Sequence, residues 1–121
     1  GMTWSEAEPM EIRAPVAPST ITRIPSTGDL LLVWNDCFRD SPDAEAVRRP
    51  LTAAVSSDEG ETWGHRRDLE TAEPYWYAYT SVTFADERVL LTYWMHDRTT
   101  TPNLLHLKFR NVPTEWFYEG M

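Results

Sequence analysis

The sequence contains an internal repeat of short apolar segments. Residues 19–22 (Ser-Thr-Ile-Thr) correspond to residues 80–83 (Thr-Ser-Val-Thr), and residues 31–34 (Leu-Leu-Val-Trp) correspond to residues 91–94 (Leu-Thr-Tyr-Trp). Glycine and proline separate segments that are rich in β-branched, aromatic and aliphatic residues, and no segment has a convincing helical period. Repeats of about 40 to 50 residues or slightly more, with four short strands each, are typical of β-propeller blades. We therefore predict an all-β fold of two antiparallel four-stranded blades in a single domain, residues 2–121.

The predicted strands follow from the turns between them. Residues 30–34 are apolar at every position, which is the pattern of a strand buried on both faces. Residues 3–6 (Thr-Trp-Ser-Glu) look like residues 62–65 (Thr-Trp-Gly-His), so we expect residues 2–17 to supply the outer strand of a preceding blade. The first blade (residues 18–70) has predicted strands at 19–24, 30–34, 51–56 and 62–69, and the second (residues 71–121) at 80–84, 89–94, 104–110 and 116–118.

Residues 56–63 (Ser-Ser-Asp-Glu-Gly-Glu-Thr-Trp) fit the Asp-box pattern Ser-x-Asp-x-Gly-x-Thr-Trp at every defined position. This pattern predicts a hairpin between the third and fourth strands of a blade. In such a hairpin Asp58 accepts hydrogen bonds from turn amides, Gly60 supplies a positive φ and Trp63 packs under the turn. Because short acidic turns usually cap local backbone, we interpret Asp58 as structural and not as an acid, a base or a calcium ligand.

Three segments on either side of the Asp box extend the pattern. Residues 48–52 (Arg-Arg-Pro-Leu-Thr) precede it, and residues 79–82 (Tyr-Thr-Ser-Val) and 90–93 (Leu-Leu-Thr-Tyr) follow it. In this order and spacing the chain resembles the C-terminal part of the sialidases (neuraminidases), which are Asp-box, or BNR-repeat, β-propellers with six blades. The resemblance implies an exo-α-sialidase, a glycoside hydrolase that acts on terminal sialic acid or similar acidic sugars.

The resemblance also implies roles for three residues. Arg48 takes the place of the third of three arginines that bind the substrate carboxylate, with Arg49 as the alternative one position later. Tyr79 takes the place of the catalytic nucleophile. A guanidinium offers two parallel donors to a carboxylate. A neutral phenol activated by a neighbouring carboxylate can attack an anomeric centre that already carries a negative charge.

Departures from the family pattern indicate an incomplete active site. Trp94 stands where the family has a glutamate, and Thr80 stands where it has a serine. The first two arginines, the acid/base aspartate and the glutamate that activates the tyrosine belong to earlier blades of the family. The alternatives to a hydrolase fragment are therefore a non-catalytic carbohydrate-binding or assembly module, or a truncated product that retains only the blade fold.

Each candidate residue also has a structural interpretation. Tyr79 could simply pack along the sheet with its hydroxyl hydrogen-bonded. Residues 96–98 (His-Asp-Arg), in the corresponding loop of the second unit, could form a catalytic dyad or be solvated loop residues. Arg48 and Arg49 could neutralise an acidic loop, whose carboxylates are Asp36, Asp40, Asp43 and Glu45.

Composition narrows the classes of partner. The formal net charge is −8 and no basic stripe is present to neutralise phosphates, which argues against nucleic acid. No apolar run approaches the roughly 20 residues of a membrane-spanning helix, and the N-terminal residues lack signal-peptide features, so we expect a soluble chain. The single Cys37 and three histidines away from ligand spacing predict neither a disulfide nor a metal site, and we expect no cofactor.

Two blades leave both of their end faces uncovered, because each propeller blade buries its two sheet faces against neighbours. Repeat folds generally need at least three units for stability. We therefore expect a homo-oligomer, with a trimer favoured and a dimer next, since three copies would supply the six blades of a sialidase propeller. The segment around Trp4 would pair with the blade of the preceding subunit, in competition with residues 116–118 for its outer edge.

Overall fold

The structure, a computed structural model, describes residues 2–37, 47–100 and 104–121. This part of the chain folds into two antiparallel sheets in which strands consecutive in sequence are neighbours. The predicted all-β class is confirmed, whereas the second sheet has three strands and not the predicted four. The first sheet contains β1 (Thr20–Arg23), β2 (Leu30–Asn35), β3 (Leu51–Ser56) and β4 (Gly64–Glu70), and the second contains β5 (Tyr75–Ala85), β6 (Arg88–Asp97) and β7 (Leu104–Pro113).

Strand β2 is buried on both faces, as its uninterrupted apolar run predicts. Leu31 and Val33 point into the main core, whereas Leu32 and Trp34 belong to a smaller cluster on the opposite face of the first sheet. Successive side chains of a strand point to opposite faces, so only a continuous apolar run can supply both clusters.

The main core lies between the two sheets. Tyr77, Leu91 and Tyr93 of the second sheet pack there with aliphatic side chains of β2 and β3. Phe117, from the C-terminal 3-10 helix Thr114–Tyr118, is buried in the same cluster. Full burial of side chains of this size contributes about 1.5–3 kcal/mol each, so the contact between the sheets is a main source of stability.

The Asp box forms the predicted hairpin between β3 and β4. Asp58 Oδ1 accepts hydrogen bonds from the amide of Thr62 and the hydroxyl of Ser56, both at 2.8 Å, and Asp58 Oδ2 accepts one from the hydroxyl of Thr62 at 2.5 Å. The hydrogen bonds from Thr62 and then from Ser56 lower the pKa of Asp58 to about 2. Gly60 has a φ of 89°, and the ring of Trp63 lies 3.7 Å from the point where a Cβ of Gly60 would be. Every defined residue of the box therefore supports the turn.

The predicted strand at residues 116–118 is wrong, because these residues lie in the C-terminal 3-10 helix. Pro113 has no N–H with which to continue a ladder, and Phe117 leaves the sheet for the main core. The chain then returns to β4, where the amide of Arg66 donates to the carbonyl oxygen of Met121 at 2.7 Å. A glycine fits at position 120 because a Cβ there would lie 2.5 Å from the carbonyl oxygen of His65.

The predicted outer strand near the N-terminus is also not formed, since the first strand in the described residues begins at Thr20. Instead, Ile12 packs on the cluster of Leu32 and Trp34, and the carbonyl oxygen of Arg13 accepts a hydrogen bond from Trp34 Nε1 at 3.2 Å. A strand needs a neighbouring edge to pair with, and the preceding blade that would offer one is not part of this chain. The division into segments 2–17, 18–70 and 71–121 stays a prediction.

All three strands of the second sheet are longer than predicted. Strand β5 begins at Tyr75 and β6 ends at Asp97, so that His96 lies in a strand and not in a loop. Of the predicted loops, residues 38–46 and 101–103 lie outside the described residues, and with them Asp40, Asp43 and Glu45. Within the described ranges, no helix is both long enough and apolar enough to cross a membrane.

Candidate functional site

The structure brings together two of the residues that the sequence singles out. The guanidinium carbon of Arg48 lies 5.6 Å from the ring centroid of Tyr79. A cation within about 6 Å of an aromatic face is attracted by the electrons of the ring. Arg48 and Tyr79, which are far apart in the sequence, therefore belong to one surface site.

Backbone hydrogen bonds hold Arg48 beside strand β5. The amide of Tyr77 donates to the carbonyl oxygen of Arg48 at 2.9 Å. The buried Asn35 joins the same two segments, because its Nδ2 donates to the carbonyl oxygens of Tyr77 (2.9 Å) and Pro50 (3.1 Å). Buried polar contacts of this kind fix the groups that they link in a single arrangement. The sheets thus set the position of Arg48 relative to β5.

Tyr79 lies at an irregularity of strand β5. The register with β6 shifts between Ala78 and Ser81, and Tyr79 has a φ of 57°. A left-handed backbone is unusual for a bulky residue, and bulges of this kind turn a side chain away from the direction that the strand would give it. The side chain of Tyr79 is accordingly 56% exposed, between neighbours that are largely covered.

Two aromatic side chains of β6 extend the site. The ring of Trp94 lies 5.7 Å from the Arg48 guanidinium carbon and 5.6 Å from the Tyr79 ring, and His96 contacts Trp94 edge-on at 5.3 Å. Burial, followed by the nearby charge of Arg98, lowers the pKa of His96, so its imidazole is neutral at physiological pH. We call Arg48, Tyr79, Trp94 and His96 the arginine–aromatic cluster.

The triplet at residues 96–98 does not act as one unit. Asp97 accepts hydrogen bonds from the amide (2.9 Å) and hydroxyl (2.7 Å) of Thr99, and these bonds lower the pKa of Asp97. The guanidinium of Arg98 stacks on Trp76 at 3.9 Å. Asp97 thus caps the following turn, while His96 packs in the arginine–aromatic cluster, and the two do not form a dyad.

The two candidate arginines have different surroundings. Arg49 forms an ion pair with Glu73 at 3.0 Å and donates to the carbonyl oxygen of Tyr75 at 3.3 Å. Arg48 donates to the carbonyl oxygen of Val16 at 3.3 Å, and no carboxylate in the described ranges pairs with it. Of the two arginines, Arg48 is therefore the one without a carboxylate partner in the described ranges, which leave out Asp40, Asp43 and Glu45 of the acidic loop.

No carboxylate among the residues that the structure describes contacts the hydroxyl of Tyr79. Two other tyrosines do contact a carboxylate: Tyr118 donates to Asp29 Oδ2 at 2.7 Å, and Tyr93 donates to Glu70 Oε1 at 3.0 Å. Lys108 Nζ lies 2.6 Å from the same oxygen. Burial, and then the charge of Glu70, raises the pKa of Tyr93. Tyr93 is sealed in the main core, so this pair stabilises the fold and cannot touch a substrate.

Two surface grooves lie away from the arginine–aromatic cluster. One of about 500 Å³ lies among the turns at the other end of the strands and is lined in part by Thr27, Arg88 and Tyr118. Another of about 350 Å³ lies between the N-terminal segment and the Asp box, near Ile12 and Trp63. Neither groove includes a residue that the sequence resemblance assigns to a substrate.

Sequence reasoning missed two members of the site's environment. The sequence marks Trp94 only as a departure from a family glutamate, although its ring lies under Arg48. The repeat gives an indication of this role, because Trp94 corresponds to Trp34. Trp34 likewise lies beneath an arginine, since the guanidinium carbon of Arg66 is 5.5 Å from its ring centroid. Nothing in the sequence marked Asn35, whose role depends on the contact between the two sheets.

The comparison with known families matches the N-terminal three quarters of the chain. A family model described as BNR repeat-like domain matches residues 1–91. This range includes the Asp box and both Arg48 and Tyr79. No curated protein matches the chain, and no solved structure does.

Proposed function

The chain belongs to the BNR repeat-like domain family, and from this membership we propose that it is part of a sialidase-type β-propeller that binds an acidic sugar through Arg48. The observation that carries the proposal is the position of the Arg48 guanidinium over Tyr79 and Trp94, without a carboxylate partner in the described residues. Arginine without such a partner, held at the surface by two aromatic rings, is suited to an incoming carboxylate.

The chemistry of the cluster fits a sugar that carries a carboxylate. The planar guanidinium of Arg48 can donate two parallel hydrogen bonds to the carboxylate. The exposed ring of Tyr79 offers an apolar surface and a hydroxyl beside it, and sugar-sized ligands are usually held by such a mixture of apolar walls and a few polar groups. The neutral His96 adds no charge that would compete with Arg48.

Binding without turnover is the function that this chain supports best. A phenol becomes a useful nucleophile only when a neighbouring group takes its proton. The described residues place no carboxylate at Tyr79, and the acid/base group of the family belongs to blades outside the matched pattern. A second candidate, an exo-glycosidase, is favoured by the exposure of Tyr79 and requires carboxylates from another source.

The binding proposal is tested by titrating the chain with N-acetylneuraminic acid, followed by NMR. We expect Arg48→Ala to weaken binding by about tenfold or more, because a hydrogen-bonded charge contributes about 1.5–3 kcal/mol. Arg49→Ala is the matched control and should bind as the unmodified chain does, since Arg49 is paired with Glu73. The methyl ester of the sugar, which has no charge, should bind weakly to all three proteins. Equal affinity in the unmodified chain and Arg48→Ala would refute the proposal.

The choice between binding and hydrolysis needs a separate assay with a fluorogenic sialoside. We expect no release of the fluorophore by the isolated chain above the rate of Tyr79→Phe. Release that disappears in Tyr79→Phe would replace the binding proposal with the second candidate.

The proposed sialidase-type propeller also predicts how many copies of the chain associate. Three chains of two sheets each would complete a ring of six blades, and a ring with cyclic symmetry covers both end faces of every copy. Light scattering should then give three times the chain mass of 14.0 kDa. A stable monomer at micromolar concentration would contradict the ring, because covering the end faces is its physical basis.

A further inference from the structure

Strands β3 and β7 occupy the same position in their sheets but have opposite exposure. Every residue of β3 is buried, and its outer side is paired with β4. Strand β7 is the third and last strand of its sheet, and Leu107 and Phe109 on it are 78% and 60% exposed. A long apolar edge strand with unpaired backbone groups is a template for another strand.

The C-terminal residues do not cover this edge. After Pro113 the chain turns into the 3-10 helix Thr114–Tyr118, whose Phe117 enters the main core. The last residues then run beside β4 of the first sheet, at Arg66. The competition for the outer edge that the sequence left open is thus removed, and β7 has no fourth strand beside it in the described chain.

The segment near the N-terminus has the sequence of such a fourth strand. Thr3-Trp4 repeats Thr62-Trp63, the pair that leads into β4, the fourth strand of the first sheet. Trp63 is packed on the outer face of its sheet, whereas Trp4 is 90% exposed. Residues 2–9 are all exposed, although Glu8 and Pro9 also line the groove beside the Asp box.

The position of Ile12 and Arg13 favours a second copy of the chain as the donor of the segment. Within one copy, Ile12 and Arg13 are held against Trp34, on the face of the first sheet that points away from the main core and hence from the second sheet. We propose that residues 3–9 of one copy add to the open edge of β7 in its neighbour as an antiparallel fourth strand, with Trp4 packed on the outer face of that sheet. This contact does not depend on what Arg48 binds.

Sedimentation velocity over a concentration series tests the contact. The unmodified chain should assemble, and Trp4→Ser and Leu107→Glu should each weaken assembly by about tenfold or more, as expected for a central aromatic or apolar anchor. Val16→Ser is the matched control, because Val16 is an exposed apolar residue outside the proposed strand. Both test positions are exposed, so unchanged melting temperatures of dilute samples should show that the chains still fold.

Amide hydrogen exchange gives an independent measurement. The amides of residues 104–110 that point away from β6 should be protected in the assembled chain and should lose protection in a variant that lacks residues 2–7, and an added peptide of residues 2–12 should restore it. Fast exchange of these amides in the assembled chain would refute the proposal. So would protection in a chain that sediments as a monomer, because the segment would then come from the same copy.

Discussion

The hydroxyl oxygens of Thr20 and Thr80 lie 2.6 Å apart, which joins β1 of the first sheet to β5 of the second. The Thr20 hydroxyl also donates to the carbonyl oxygen of Thr80 at 3.0 Å. These strands begin equivalent units of the sequence repeat, so the first strands of the two units meet side by side.

Removing the Thr20 hydroxyl should weaken the contact between the sheets. Thr20→Val keeps the β-branched shape but loses the hydrogen bonds to Thr80, so we expect a loss of about 1 kcal/mol in the free energy of unfolding. Thr83→Val, at an exposed position of β5, is the control and should change little. Urea unfolding measures both, and equal midpoints for Thr20→Val and the unmodified chain would contradict the expectation.

We expect the left-handed backbone of Tyr79 to lower the stability of the fold while it holds the ring of Tyr79 at the candidate site. At a φ of 57°, glycine avoids a cost of roughly 1–2 kcal/mol that other residues carry. We therefore expect Tyr79→Gly to raise the melting temperature while it weakens sugar binding. Tyr79→Ala removes the ring but keeps the backbone cost, so it should weaken binding without the gain. A melting temperature that falls in Tyr79→Gly as far as in Tyr79→Ala would show that the backbone is not strained.

The Asp58 carboxylate should make stability depend on pH in the acid range. Its pKa in the folded chain is about 2, below the ordinary value of 3.8, so its contribution is complete above that ordinary value and is lost as the pH falls toward 2. The difference in stability between the unmodified chain and Asp58→Asn should therefore be largest at neutral pH and shrink below about pH 4. Asp86→Asn, in an exposed turn outside the box, is the control. A difference that stays constant down to about pH 2 would contradict this origin.

The C-terminal 3-10 helix should act as part of the core. Phe117→Ala leaves a cavity in the cluster between the sheets, and we expect a loss of about 3 kcal/mol in the free energy of unfolding. Glu115→Ala, in the same helix but exposed, should be nearly neutral. Thermal unfolding followed by circular dichroism compares the two, and similar values for both would mean that the helix is not needed for the core.

Local patterns predicted the parts of the fold that depend on local chemistry. The residues of the Asp box satisfy one another, so Asp58 and Gly60 could be assigned from the sequence. The parts of the fold that the sequence did not predict correctly depend on tertiary contacts. Residues 116–118 are aromatic and resemble a strand, yet Phe117 gains more by burial between the sheets than by pairing at an edge.

The candidate site was predictable only in part for the same reason. The pairing of Arg48 with Tyr79 came from the resemblance to a family, because no local pattern links residues so far apart. The resemblance already ranked Arg48 ahead of Arg49, whereas the ion pair of Arg49 with Glu73, a structural difference between the two, could be found only from the fold. The bulge at Tyr79 could not be expected from a sequence without glycine at that point.

The C-terminal residues cover the outer edge of the first sheet but not that of the second, and this difference affects how readily copies of the chain can aggregate. Residues 120 and 121 run along β4, where the amide of Arg66 is bonded to the carbonyl oxygen of Met121, while β7 is open. A molecule with two open edges can add copies at both ends and grow into a fibril. Here growth at β4 would first have to displace this C-terminal tail. Because a Cβ at position 120 would lie 2.5 Å from the carbonyl oxygen of His65, we expect a larger residue there to release the tail and to promote aggregation.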